Sequence, residues 1–409
     1  MAETLLKSSF PSQIASDEEK ASLEYGLKVA RAIEHEWFKR DSGATRFYSN
    51  RDEFHRLRLY ARGEQSVKKY KDELSINGDL SYLNLDWKPV PIIPKFVDIV
   101  VNGMSDRLFK VKAYAQDALS QSKRSKYQEM IEGQMAAKDV LEIVQKNTGF
   151  DPFIMNPDEL PASDEELSLY MNLNYKPAIE IAEEEAIDTM FAENHYVDIR
   201  KRLDYDMMVT GMAVAKHEFL PGAGVKVAYV DPANVVYSYT EDPHFKDCFY
   251  WGEIKTVPIA ELMKIDPTLT NDDLDKISKY SQSWYNYFNT AQFYENDIFY
   301  RDTCTLMYFN YKTTKKMVYK KKVKDNGNIS MIEKDDGFNP PDEMMEENNF
   351  EKVEKTIDVW YDGVMVMGTN IILKWELAKN MVRPKSASQH AIPNYVAVAP
   401  RMYKGVIES

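Results

Sequence analysis

Six histidines, two cysteines and several carboxylate runs are the residues of this 409-residue chain that could do chemistry. The histidines are His35, His55, His195, His217, His244 and His390. No two stand at the i, i+2 or i, i+4 spacing that brings two imidazoles to one metal. His217 falls on an expected strand and His195 at a helix start, where structural roles account for both. Gly222-Ala-Gly224 has the small residues of a phosphate loop. It leads from strand to strand, however, and not into a helix whose amides could face phosphate, so it reads as a hairpin turn. Glu183-Glu-Glu185, Asp335-Asp336 and Glu346-Glu347 read as solvated faces. Neither a nucleophile elbow nor a Ser/His/Asp arrangement appears, so the sequence assigns no catalytic residue, cofactor or metal ligand. Cys248 and Cys304 make no metal spacing and no disulfide framework. They read as reduced, buried thiols of a cytosolic assembly.

One cluster stands apart. Lys312, Lys315, Lys316, Lys320, Lys321, Lys322 and Lys324 crowd what reads as one β-hairpin, in a chain with 52 basic and 65 acidic residues and a net charge of −13. Two readings stand side by side: lysines guarding an exposed sheet edge against aggregation, or a docking surface for an acidic partner or a DNA-facing collar. Lys315, Lys316, Lys320 and Lys321 are the candidate docking residues. Trp360 and Tyr361, beside an expected turn at Asp362-Gly363, are the alternative contacts.

The elements that position these residues follow from periodicity. A capping box, Ser16-Asp-Glu-Glu19, opens a helix with Leu23, Leu27, Ala30, Ile33 and Trp37 as its apolar stripe. Further helices are expected over 52–62, closing at Gly63, and from Pro94, with Phe96, Ile99, Val100, Gly103, Met104 and Leu108 on one side. Two long helices are expected over 117–146 and 163–194, joined by a connector rich in Pro, Asn and Asp. A helix over 196–210 ends at Gly211. The period then changes from helical to alternating. Strands are expected at 213–219 and 225–230, with short extended pieces at 235–239 and 249–254, then helices at 259–264 and 271–287. Further strands are expected at 299–311, 317–323, 356–361 and 364–367, and 324–355 reads as a long, exposed, partly disordered insertion.

A chain of this length exceeds one ordinary core. Its abundant Tyr and Met, 26 and 20 residues, serve interfaces and cores alike. The acidic balance argues against gripping nucleic acid through phosphates, though not against letting DNA slide. Met1–Ser12 has no cationic segment followed by an apolar run, and no apolar stretch approaches the ~18 residues of a membrane span. The chain is expected to be made in a cytosol and to stay soluble.

The order of these elements, read with particular residues, resembles the portal proteins of tailed bacteriophages, and most of all those of crAss-like gut phages. Leu59-Tyr-Ala-Arg-Gly63-Glu-Gln65 is similar to an early portal element in which a helix ends at Gly followed by Gln. Pro91-Ile-Ile-Pro-Lys95-Phe-Val-Asp98-Ile-Val-Val-Asn102 resembles the next helix. Asp206 to Leu262 carries the most specific part: a helix ending in Gly, a hairpin, then Val230-Asp231-Pro232-Ala-Asn234-Val235. Together the matches run collinearly over about 59–377.

The resemblance implies an α+β portal fold, with a helical and α+β wing over 1–257, a stem helix region at 258–296 and a β-rich clip at 297–383. Residues 384–409 would lead into a second stem helix, the remaining wing, tunnel loop and crown lying on a longer protein. It implies a dodecamer at the capsid vertex of the virion, assembled in the host cytoplasm. Its partners would be the capsid protein, the terminase motor and tail adaptor proteins, with double-stranded DNA passing through unread and no membrane. The rivals are another virion ring component, such as a tail adaptor or baseplate subunit, and a nuclease. The first would not show the helix–hairpin–Asp-Pro order. The second needs clustered acidic metal ligands at a strand end.

Overall fold

A computed structural model of the chain is a mixture of helices and antiparallel sheets, the α+β class expected. It describes residues 9–408 apart from 39–44, 65–66, 76–85, 87–89, 106–108, 116, 150–159, 174, 221, 223, 279–302, 324–328, 336, 339–349 and 380. The chain divides into two compact units, Arg107–Val197 and the remainder.

The helices are α1 (Asp17–Ala21), α2 (Leu23–Phe38), α3 (Arg46–Ala61), α4 (Lys68–Leu74), α5 (Ile93–Ser105) and α6 (Ala118–Ala136). They continue with α7 (Lys138–Thr148), α8 (Asp164–Leu173), α9 (Ala178–Glu193), α10 (Tyr196–Val209) and α11 (Leu262–Ile265). The strands are β1 (Ala213–Leu220), β2 (Gly224–Val230), β3 (Val235–Tyr237), β4 (Tyr250–Pro258), β5 (Thr303–Val323) and β6 (Ile329–Lys334). After them come β7 (Phe350–Val366), β8 (Ile372–Leu377), β9 (Tyr395–Val398), β10 (Met402–Tyr403) and β11 (Val406–Ile407).

In the Arg107–Val197 unit the two long helices expected are four. The first breaks at Ala137, and the second before Pro177, which starts α9 because it has no N–H for a preceding turn. Ile131, Leu160, Leu167 and Met171 form a small core there. Glu184 and Glu180, one helical turn apart on α9, accept the backbone N–H of Ala113 (3.1 Å) and Ala115 (2.8 Å) and so hold an extended segment.

The larger unit is layered. Its middle is a sheet in the order β3-β4-β5-β7-β8, with β6 on the far half of β5. A row of Gly252, Phe309, Gly363 and Trp375 crosses four neighbouring strands of one face. Helix α2 covers that face. A Cβ on Gly26 would lie 2.5 Å from Trp375 Cδ2, so glycine there lets the helix approach. Tyr25, Val29, Ile33 and Trp37 carry the buried side of α2, while Leu23, expected in the stripe, is exposed. Ser16 caps α1 by accepting from Glu19 N, as expected. The other face of the sheet meets the small sheet β2-β1-β9, with Trp251 stacked on Tyr395.

Two expected hairpins are instead single strands. Residues 303–323 run unbroken as β5, and Asp362-Gly363 lies in mid-strand in β7. Gly363 is not there for a turn. The ring of Phe309, its cross-strand partner, fills the place a Cβ would take, and the Asp362 carboxylate accepts from Asn310. The true tight hairpin in this part of the chain joins β10 and β11, with Lys404 and Gly405 both at positive φ. The expected insertion also contains sheet. Ile329–Lys334 pairs with Val318–Val323, and 350–355 belongs to β7. The expected boundary at 257/258 falls inside β4, which pairs along its length with β5. In the expected stem region, α11 and a helical 271–278 are described, and 279–296 lies outside the described residues. Residues 384–408 form a short turn, β9 and the β10–β11 hairpin, with β9 pairing to β1.

Candidate functional site

The lysines sit on the distal half of β5. A strand sends successive side chains to opposite faces. Lys312, Lys316, Lys320 and Lys322 therefore share one face, while Lys315 and Lys321 take the other. The four docking candidates do not make one patch. Nor are Lys320 and Lys321 on a sheet edge, because Val318–Lys322 is flanked by β6 on one side and by β7 on the other.

Between the end of β4 and the start of β6, one side of β5 has no strand partner among the described residues, and helix α1 lies along the gap. Lys312 N–H donates to Phe249 O (2.7 Å), Lys20 Nζ donates to Thr314 O (2.6 Å), and Lys316 N–H donates to Asp17 Oδ2 (3.4 Å). These are alternate residues, whose backbone groups face the same way. Three backbone groups that leave the ladder thus find partners from α1 or the β4 approach. Burial lowers the pKa of Lys20, a residue with no local signal of a special role, and Asp17 partly offsets this.

Carboxylates on β7 answer the lysines. Lys312 Nζ lies 2.8 Å from Asp358 Oδ2, Lys316 Nζ 2.6 Å from Glu354 Oε2, and Lys321 Nζ 2.8 Å from Glu351 Oε2. Hydrogen bonds from Lys316 and then Lys352 hold Glu354 below the usual carboxylate range. Burial alone would raise Asp358, but Lys312 and His390 outweigh it and leave that carboxyl depressed. Asp358 also latches the 383–390 loop. Its carbonyl accepts from Arg383 Nη2 (2.5 Å), its N–H donates to Gln389 O (2.8 Å), and His390 Nδ1 lies 2.9 Å from Oδ2. With Lys315, Lys320, Lys322, Lys352 and Lys355 beside these pairs, the ribbon stays positive in an acidic chain.

Trp360 and Tyr361 are not surface contacts. They are 2% and 6% exposed. Trp360 Nε1 donates to Ala391 O (2.9 Å), and Tyr361 stacks on Trp375 with centroids 4.9 Å apart. The expected turn that was to expose them is absent, which corrects that assignment.

A second constellation, missed in the sequence, is the Arg58 anchor. Arg58 Nη2 contacts Asp206 Oδ1 at 2.9 Å and Asp231 Oδ1 at 2.7 Å, and Nη1 reaches Asp231 Oδ2 at 3.1 Å. Tyr229 donates its hydroxyl to Asp206, and Asp231 also caps the following turn by accepting from Ala233 N (3.0 Å). Burial pushes Asp206 up despite Tyr229 and Arg58. For Asp231, burial acts the same way, but Arg58 wins and holds it below its ordinary range. Both aspartates stood in the sequence as parts of motifs. Their shared arginine, 148 and 173 positions away, carried no local signal.

The cysteines are free and buried, and burial pushes both thiols up to about 12, as inert thiols require. Among the described residues no three His, Cys, Asp or Glu side chains gather as metal ligands. No helix among them is long and apolar enough to cross a membrane. The fold and surface define an α+β protein with a positively charged β5–β7 ribbon and an arginine-anchored helix–hairpin module. No protein-family model matches the chain, and no curated protein is similar to it.

Proposed function

We propose that the chain is a portal subunit of a tailed phage, part of a near-twelvefold ring at the capsid vertex through which DNA is packaged and ejected. The observation that carries this reading is where three separate stretches meet. Ala61 and Leu57 of α3, Val97 and Val101 of α5, and Val209 and Tyr205 of α10 share one apolar cluster. These belong to, or adjoin, the Leu59–Gln65, Pro91–Asn102 and Asp206–Leu262 stretches that carry the portal resemblance. A Cβ on Gly63, at φ 79°, would strike Pro91, so the first two stretches also touch there. Arg58 then ties the helix before Gly63 to Asp206 and to the Asp-Pro turn.

A subunit of a closed ring needs apolar faces that its own fold leaves uncovered. Helix α5 has one: Phe96, Ile99 and Val100, of the apolar side read from the sequence, are 60%, 58% and 39% exposed. The net charge of −13 suits a wall along which DNA slides without sticking. In this reading the β5–β7 ribbon meets the motor and adaptor in turn, the chain catalyses nothing by itself, and DNA passes without sequence-specific contacts. Electron microscopy of the purified protein tests it. A closed ring with a central hole is expected, and a uniformly monomeric protein overturns the proposal.

A further inference from the structure

We propose that a bound water molecule bridges the central sheet to the small β2-β1-β9 sheet, shared by Trp251 Nε1, Glu253 Oε2 and Tyr395 Oη. All three atoms are buried and have no hydrogen-bond partner among the described residues, although Glu253 Oε2 has an ion-pair contact. Their residues are 1%, 4% and 2% exposed. Leaving one buried polar group unmet is costly, and two in one layer, beside a carboxylate oxygen met only by an ion pair, need a common explanation.

The register puts them together. Trp251 and Glu253 alternate on β4 and so share a face, opposite Asn310 and Tyr308 of β5. Tyr395 of β9 stacks on Trp251 with centroids 5.8 Å apart and planes 13° from parallel. Lys216 of β1 reaches across the same layer, its Nζ 5.4 Å from the Tyr395 ring centre and 6.0 Å from that of Tyr308. Burial raises the Tyr395 hydroxyl far above its ordinary range, and the charges of Glu253, Asp362 and Glu218 and the neighbouring Tyr308 add to the rise. Lys255 Nζ lies 2.9 Å from Glu253 Oε2, an ion-pair distance without hydrogen-bond geometry.

The donor and acceptor types select the ligand. The indole N–H can only donate, and the Glu253 carboxylate can only accept. A bridging molecule must therefore accept from one and donate to the other. A metal cation cannot accept from Trp251. An anion cannot donate to Glu253, and Asp362 and Glu218 nearby would repel it. Water does both, and three partners fall within the two to four that a buried water requires.

An experimental map of the intact protein at a resolution that shows ordered water, together with thermal unfolding of Tyr395→Phe, tests the assignment. Density within ~3.2 Å of all three atoms is expected. The variant is expected to melt below the wild type, because it strips the water of a partner. A direct Tyr395–Glu253 hydrogen bond in the map overturns the proposal. So does a Tyr395→Phe midpoint equal to or above the wild type, the result of deleting a hydroxyl that had no partner.

Discussion

From Cys304 to Tyr311, β5 carries Cys304, Leu306, Met307, Phe309 and Tyr311, each no more than 2% exposed. From Lys315 to Lys322 the same strand carries five lysines, and its neighbour β7 sets Glu351 and Glu354 against two of them. Both halves pair with β7. They differ in what their side chains can contribute. The proximal half removes aromatic and aliphatic area from water, at about 25 cal/mol per Å². The distal half forms ion pairs that stay wet, each worth about 0–1 kcal/mol. Stability is thus concentrated in the first half, and the second can carry charge for other purposes.

The largest effect should come from truncating the core side. Trp360→Ala removes a side chain that is 2% exposed and strands Ala391 O, and is expected to cost about 3–5 kcal/mol in urea unfolding. If Trp360 were a docking residue, the variant would keep wild-type stability and lose only partner binding.

Arg58→Ala should come next, at about 2–4 kcal/mol, because it leaves buried Asp206 and half-buried Asp231 without their cation. The pH dependence fixes the sign. In the wild type Asp231 is held below its unfolded value, so its contribution is present above that value and fades as pH falls through the folded one. Asp206 is raised, so its ionised form costs stability at neutral pH and protonation relieves the cost. Without Arg58 both carboxyls become costly charges. The deficit of the variant is therefore expected to shrink as pH falls from 7 towards 5. A deficit constant over that range would show that Arg58 acts by packing alone.

Gly363→Ala sharpens the comparison inside the core. The new methyl meets the Phe309 ring, and a loss of about 1–3 kcal/mol is expected. Adding Phe309→Leu should make the double loss smaller than the sum of the two single losses. Strict additivity would mean that the ring does not fill the site.

Much of this was legible along the chain. The helices ending at Gly63 and Gly211, the β1–β2 hairpin and the Ser16 cap each depend on a residue and its near neighbours, so local rules find them. Asp362-Gly363 shows where such rules stop. The pair has turn chemistry, but a cross-strand ring 54 positions away decides its conformation. The same holds for the Phe96, Ile99 and Val100 stripe. Periodicity revealed that α5 has an apolar side, but not that Val97 and Val101 would face the chain's own core instead. The lysines were visible as a cluster. Their separation onto two faces needed only strand alternation, once 303–323 was known to be one strand.

The smallest stability effect belongs to the ribbon, where a kinetic effect is expected in its place. Replacing Lys315, Lys316, Lys320 and Lys321 with Ser deletes the pairs to Glu354 and Glu351. Glu351 is exposed enough to be solvated once its partner is gone, and Glu354 keeps Lys352. The change in unfolding free energy should stay within about 1–2 kcal/mol, the sum of two wet pairs. Ring assembly should be unaffected. Because the replaced charges lie on both faces of the ribbon, an acidic partner approaching either face meets a weaker field. Docking of the motor or adaptor should then be slower at low salt, and the difference should close as added salt shortens the screening length below ~8 Å. Stopped-flow docking across a salt series reads this directly. A wild-type rate at low ionic strength would mean that the lysines only balance β7, and the search for the docking surface would move to the exposed edge of β6 at Ile329, Met331 and Ile332.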